Sequence, residues 1–147
     1  MGESARILVV DDNESIRKMM KTVLEYLGYA VDTAKTGEEA LKRAKLGHYN
    51  LALVDYSLTN MKLTTFLKKI EKMAPSTQII VVADKISLQK VRKIVDKVGK
   101  KPYTYLLKPF RMETALAVIR KQLRRQRWKE RSGKITIEFV KPLKRHL

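Results

Sequence analysis

The chain has 147 residues, with 32 Lys and Arg against 15 Asp and Glu, so its formal net charge is +17. This length predicts one domain with an appendage, and the absence of cysteine excludes disulfides and thiolate metal sites. No apolar run approaches the ~18 residues of a membrane helix, and the first residues lack a signal-peptide pattern, so we expect a cytoplasmic protein without a membrane segment.

Short apolar runs alternate with stripes of apolar residues at helical spacing. Gly28 and Gly47 are placed to end helices, Thr36 and Glu39 are spaced as a capping box, and Ser87 can cap a helix. The predicted elements, in chain order, are a strand at 7–10, a helix at 16–27, a strand at 30–34, a helix at 36–47, a strand at 51–54, a helix at 63–73, a strand at 78–83, a helix at 87–98, a strand at 105–107 and a helix at 112–131.

Strands that are apolar on both faces and are joined by helices predict an α/β fold with a parallel sheet covered on both sides. Ligands bind at the carboxyl ends of the strands in such sheets. Asp11, Asp12, Asp55 and Lys108 each follow one of the predicted strands. We therefore expect these four side chains to meet in one crevice.

Three carboxylates brought together repel one another unless a cation lies among them. Ligands that offer only oxygen suit a hard ion, and Mg²⁺ is the natural candidate. A metal ion and the Lys108 ammonium around a carboxylate favour formation of an aspartyl phosphate on Asp55. The spacing also allows a simpler interpretation, in which the acids only cap helix amino termini.

Three segments, "ILVVDDNESIR", "LALVDYSL" and "YLLKPF", resemble the signature segments of the response-regulator receiver domain, and the resemblance covers about residues 5–125. It implies a flavodoxin-like, doubly wound sheet of five parallel strands with five helices. It also implies Asp55 as the phosphoacceptor, Asp11, Asp12 and the backbone carbonyl of Ser57 as further Mg²⁺ ligands, and Lys108 as the pocket lysine.

The same resemblance implies a signalling role rather than that of an enzyme. A histidine kinase or phosphotransfer protein would supply the phosphoryl group, and a downstream protein target would receive the signal. The Lys108-Pro109 pair resembles the cis peptide of the family, and a cis proline is expected there.

The chain departs from the family pattern around the end of the fourth strand. Ala83 stands where receivers have Thr or Ser, and Asp84 stands where a small residue is usual. Asp84 either faces the phosphoryl group and repels it, or it points to solvent or pairs with Lys85. Without the hydroxyl, we expect Tyr105 to be a static surface or interface aromatic and switching to be atypical. Residues 56–63 also need a different turn.

The last quarter of the chain is strongly basic: residues 111–147 hold 12 basic and 3 acidic residues, against 20 and 12 in residues 1–110. We expect a receiver at 1–125 and a basic extension at 126–147. Trp128 could stack on a base or fold back onto the domain. The residues expected to contact nucleic acid or a partner are Arg120, Lys121, Arg124, Arg125, Arg127, Trp128, Lys129 and Arg131.

Ile135–Val140 alternates like one extra strand, which would add to a sheet edge of its own domain, of a homodimer mate or of a partner. The alternative function is a receiver-derived scaffold that binds nucleic acid or ribonucleoprotein through the basic helix, with weak sequence preference.

Overall fold

A computed structural model describes residues 5–98 and 103–132, with the side chains of residues 126–132 excepted. Five parallel strands form one sheet in the order β2-β1-β3-β4-β5. This confirms the predicted flavodoxin-like sheet. The elements are β1 (Arg6–Val10), α1 (Glu14–Tyr26), β2 (Ala30–Ala34), α2 (Gly37–Leu46), β3 (Leu51–Asp55), α3 (Leu63–Met73), β4 (Gln78–Asp84), α4 (Leu88–Asp96), β5 (Thr104–Lys108) and α5 (Met112–Ser132).

Three polar residues that were predicted to follow strands are in fact the last residues of those strands. Asp55 ends β3, Asp84 ends β4 and Lys108 ends β5. Asp55 is paired in register with Val82, and Asp84 with Lys108. The neighbouring strands therefore hold the backbones of these residues, and this fixes the Cα positions from which the side chains extend.

The core explains why these segments fold together. The five residues of β3 are all buried, as a central strand of a parallel sheet requires. On one face of the sheet, α3 and α4 contribute to the same apolar cluster, and each large side chain buried there stabilises the fold by about 1.5–3 kcal/mol. The helical members of that part of the cluster are Leu63, Phe66, Leu67, Ile70, Val91 and Val95.

The helix ends follow the sequence signals in all but one case. Gly28 has a φ of +100°, a value that favours glycine, and ends α1. The Thr36 side chain accepts the Glu39 N–H at 3.1 Å. The prediction that Ser87 caps α4 is wrong: Ser87 stands at the N-cap position, but its side chain makes no capping bond. Its N–H is instead bonded to the Asp84 carboxylate at 2.7 Å.

The chain divides into two compact units, residues 1–110 and 111–147. In the second unit, α5 continues without a break through the boundary that was predicted at residue 125. Ala115 and Ile119 on this helix are buried. The predicted strand at 135–140 lies outside the described residues. Within the described part of the chain, no helix is long and apolar enough to cross a membrane.

Candidate functional site

The carboxylates at the ends of β1 and β3 meet, as the strand order requires. Asp11, Asp12 and Asp55 each offer one oxygen, and these oxygens lie within 4.8 Å of one another. Asp11 and Asp55 are buried, each with 4% exposure, whereas Asp12 is exposed. Three oxygen ligands at this spacing, with one side open to water, suit Mg²⁺, which keeps several waters in its shell.

Lys108 completes the cluster from the end of β5. Its Nζ lies 3.2 Å from Asp11 Oδ2 and 3.4 Å from Asp55 Oδ2, so one ammonium bridges the two buried carboxylates. The peptide bond between Lys108 and Pro109 is cis, as expected. The structure thus brings together all four residues that the sequence placed at strand ends.

The electrostatics of the pocket follow from burial and from these charges. Burial raises the pKa of Asp55, the Lys108 charge opposes that increase, and the Asp11 charge adds to it. Burial lowers the pKa of Lys108, but the charges of Asp55 and Asp11 outweigh burial and raise it above its usual value. The pocket therefore keeps its lysine charged while it holds an Asp55 carboxylate that gains from a further cation nearby.

Local bonds position Asp11 in the turn between β1 and α1. Its N–H donates to the Ala34 carbonyl at 3.1 Å, and its Oδ1 accepts the Asn13 N–H at 2.9 Å. Arg17 Nη1 donates to the Asp11 carbonyl at 2.8 Å. Asn13 in turn caps α1 by accepting the Ile16 N–H at 3.0 Å. The sequence signals for Asn13 and Arg17 were not recognised as part of the site.

The loop after Asp55 contains a residue in the left-handed region. Asn60 has a φ of 65°, and Asn is one of the few residues that adopt this left-handed region readily. The Ser57 N–H donates to Asp55 Oδ1 at 3.3 Å. The assignment of the Ser57 carbonyl to a metal shell stays a prediction.

Beside the pocket, Asp84 belongs to a network that neither sequence interpretation anticipated. Its Oδ2 accepts the Tyr56 hydroxyl at 2.8 Å, and Ser87 Oγ lies 3.1 Å from the Tyr56 oxygen. Among the described ion pairs, none joins Asp84 to Lys85. We call Tyr56, Asp84 and Ser87 the tyrosine network; it ties the β4–α4 connection to the residue that follows Asp55. Hydrogen bonds from Tyr56 and Ser87 lower the pKa of Asp84.

Ala83 and Tyr105 occupy the remaining positions of the expected switch. Ala83 is fully buried in the apolar cluster. Tyr105 is half-buried against that cluster, and its ring lies 5.9 Å from the Arg92 guanidinium; that it is a static surface or interface aromatic stays a prediction. Its hydroxyl is buried and, within the described part of the chain, has no hydrogen-bond partner. Burial raises the pKa of Tyr105, and the Asp96 charge raises it further.

The structure describes only part of the predicted basic surface. Arg120, Lys121 and Arg124 are exposed on α5, and Arg125 Nη1 donates to Gln122 Oε1 at 3.4 Å. The side chains of Arg127, Trp128, Lys129 and Arg131 lie outside the described residues, so their roles stay predictions.

Comparisons with known proteins give the family of this chain. The family model described as the response regulator receiver domain matches residues 7–120. The uncharacterized transcriptional regulatory protein YkoG of Bacillus subtilis is 34% identical over 122 residues, which are 83% of this chain and 52% of that protein. The response regulator ArlR of Staphylococcus aureus is 32% identical over 128 residues, which are 85% of this chain and 55% of that protein. The chain thus spans about half the length of these curated relatives.

Solved structures of receiver-domain proteins are also similar to this chain. A CheY-like receiver domain protein from Methanospirillum hungatei is 32% identical, with a TM-score of 0.75, and the match covers 84% of this chain and 97% of that one. The chemotaxis response regulator CheY4 of Vibrio cholerae is 30% identical, with a TM-score of 0.73, and the match covers 81% and 98%. Receiver domains are phosphorylation-dependent signalling switches rather than enzymes. With its family match, its strand order and its acidic pocket, the chain belongs to the response regulator receiver family.

Proposed function

We propose that this protein accepts a phosphoryl group on Asp55 in an Mg²⁺-dependent phosphorelay. The observation that carries the proposal is the pocket itself, in which Lys108 bridges Asp11 and Asp55 while Asp12 adds a third carboxylate. Asp11, Asp12 and Asp55 would hold the ion. When bound, it would neutralise negative charge on the carboxylates and on the phosphoryl oxygens.

The proposed chemistry uses the carboxylate of Asp55 as the nucleophile. One of its oxygens forms a bond to phosphorus, while the bond between phosphorus and the donor breaks and the leaving group takes that electron pair. Lys108 already contacts Asp55 Oδ2, so its ammonium lies where negative charge on the incoming phosphoryl group can be stabilised. The charges around Lys108 keep it protonated for this task.

Mass spectrometry of the intact protein tests the proposal. We expect incubation with acetyl phosphate and Mg²⁺ to add the mass of one phosphoryl group. Asp55→Asn should abolish that gain, because the amide is not a nucleophile, and Glu38→Gln, which changes an exposed carboxylate, should retain it. A wild-type protein that gains no mass, or an Asp55→Asn variant that still gains it, would refute the assignment.

We also propose that switching is atypical, so that phosphorylation moves the β4–α4 connection little. Ala83 offers no hydroxyl to a phosphoryl group, and the tyrosine network already ties this connection to Tyr56 without one. A ligand shifts a conformational equilibrium only through contacts that differ between the two states. Hydrogen exchange of residues 84–98, measured with and without acetyl phosphate, should therefore change little.

The partners follow from the proposed chemistry. A histidine kinase or phosphotransfer protein would be the donor, and a protein would be the downstream target. A second candidate is nucleic-acid binding through α5, favoured by the exposed Arg120, Lys121 and Arg124. Truncation after Gln122 removes Arg124 and the basic residues that follow it, so it should weaken a salt-dependent shift with RNA or DNA, and an unchanged shift would exclude this role. A homodimer through residues 135–140 stays a prediction.

A further inference from the structure

The positive charge of the first unit is concentrated in its second half. Residues 1–61 contain 8 basic and 9 acidic residues, whereas residues 62–110 contain 12 basic and 3 acidic ones. A surface that is basic only for solubility would carry its charge on all sides. The excess instead falls on the segment that contains α3 and α4.

The helices of the two halves differ in how many of their lysines and arginines form ion pairs. On α1 and α2, three basic side chains pair with carboxylates four residues away, among them Lys21–Glu25 at 3.0 Å and Arg43–Glu39 at 3.7 Å, whereas Lys42 and Lys45 of α2 are in none of the described ion pairs. Among the described lysines of α3, of α4 and of their cap positions, none forms an ion pair. These exposed residues, which we call the lysine face, are Lys62, Lys68, Lys69, Lys72, Lys90, Lys93 and Lys97.

The acids of this segment are few and mostly engaged in other contacts. Glu71 accepts the Tyr103 hydroxyl, and Asp84 belongs to the tyrosine network. Asp96 is the third and last acid between residues 62 and 110. The helices α2, α3 and α4 all pack against one apolar cluster. On α2, Glu38 and Glu39 offset most of the positive charge, whereas the lysines of α3 and α4 leave a field of positive charge that few carboxylates neutralise. Such a field attracts polyanions.

The composition of the face favours phosphates over a protein surface. Protein interfaces have cores enriched in aromatic residues and Arg and depleted in Lys. The large apolar residues exposed on this segment are Met73, Ile86 and Ile94, which come from three different elements, and none is aromatic. Lysines act as point charges toward phosphate oxygens, without reading base sequence. We propose that the lysine face docks on the phosphate backbone of a nucleic acid, independently of Asp55 and of the basic extension.

Three helices offer matched pairs of exposed lysines for the test. Lys69 and Lys72 on α3, and Lys90 and Lys93 on α4, belong to the lysine face; Lys42 and Lys45 on α2 have the same spacing but lie outside it. Changing any one of these pairs to Glu alters the net charge of the full-length protein by the same amount. Fluorescence anisotropy with labelled duplex DNA and single-stranded RNA of mixed sequence, at two salt concentrations, measures binding.

We expect the α3 and α4 double variants to weaken binding at least tenfold and to lower the salt slope on duplex DNA by about 0.9 for each phosphate that they no longer neutralise. The α2 double variant should weaken binding much less. Equal losses for all three pairs would show a net-charge effect only and would overturn the proposal. A wild-type protein that binds neither nucleic acid would also overturn the proposal. Polyglutamate that competes as effectively as unlabelled nucleic acid would indicate an acidic protein partner and would overturn it too. Thermal melts verify that each variant is folded.

Discussion

The acidic pocket and the adjacent end of β4 differ in how closely they match the receiver pattern. In the pocket, Asp11, Asp55 and Lys108 have the residue types that the receiver resemblance implies, and Lys108 contacts both carboxylates. One strand away, Ala83 lacks the expected hydroxyl, and Asp84 is bonded into the tyrosine network. Under the proposed function, accepting a phosphoryl group and responding to it would depend on different strand ends, so one could change while the other stays.

The two regions also differ in the hydrogen-bond donors and charges that surround their carboxylates. In the pocket, Asp55 has one ammonium and one backbone N–H, and it remains crowded by Asp11. Asp84 has donors on both oxygens, the Tyr56 hydroxyl and the Ser87 N–H. A carboxylate with unmet charge is poised to bind a cation, whereas a satisfied one serves as a structural tie.

The largest effect is expected from Lys108→Met. This change leaves the Asp11 and Asp55 charges unopposed and removes the ammonium that would stabilise a phosphoryl group. Loss of one such group should slow phosphate uptake from acetyl phosphate by about a hundredfold or more. Intact mass followed over time gives the rate, and Lys42→Met, which alters an exposed lysine on α2, should match the wild type. A rate within twofold of the wild type would show that the pocket does not use Lys108.

The second prediction restores the missing hydroxyl. Ala83→Thr adds volume to a fully buried position, so it should lower the free energy of unfolding by about 1–3 kcal/mol. It should also create a phosphorylation-dependent change in hydrogen exchange of residues 84–98 that the wild type lacks. Ala83→Val is the control, because it adds similar volume without a donor. If the Thr and Val variants respond alike, the hydroxyl is not what limits switching.

A smaller, local effect is expected from Tyr56→Phe. Losing the phenol removes one donor from Asp84 and should speed hydrogen exchange in the β4–α4 connection severalfold, with the pocket unaffected. Tyr26→Phe is a suitable control, since Tyr26 is 88% exposed. Unchanged exchange after Tyr56→Phe would mean that the tyrosine network does not hold the connection.

The smallest effect concerns a second tyrosine–aspartate bond, between Tyr49 and Asp32, which serves as a comparison for the Tyr56–Asp84 bond. Asp32 accepts the Tyr49 hydroxyl at 2.6 Å, and that bond, followed by Arg6, lowers the pKa of Asp32 against the opposing effect of burial. Burial also raises the pKa of Tyr49, to about 12. A depressed carboxyl pKa stabilises the fold above its unfolded value near ~3.9 and loses this contribution as the pH falls through the folded value.

Asp32→Asn should therefore cost about 1 kcal/mol of unfolding free energy at pH 7, a value already reduced for the partial exposure of Asp32. The difference from the wild type should shrink toward zero near pH 2. Urea titrations at the two pH values measure it. A difference that grows at low pH would contradict the sign of the shift.

Most of the fold and the four charged residues of the pocket could be predicted, because both depend on local patterns in the sequence. Strand and helix alternation set the sheet, and the polar residues at strand ends had to converge once the strands were parallel. The tyrosine network could not be predicted, because it depends on the direction of three side chains, one at the end of β4 and two in the connections that follow β3 and β4. Ser87 shows the difficulty: its type and position predict a cap, yet a nearby carboxylate takes the N–H at this helix start.

Two of the four pocket residues, Asp55 and Lys108, are the last residues of β3 and β5, and hydrogen-bonded strand ladders hold both. Separating Asp55 from Lys108 thus requires melting of the sheet, whereas the β4–α4 connection can loosen by itself. On heating, the capacity to take up phosphate should persist until cooperative denaturation, so thermal inactivation and collapse of the central β-structure should coincide.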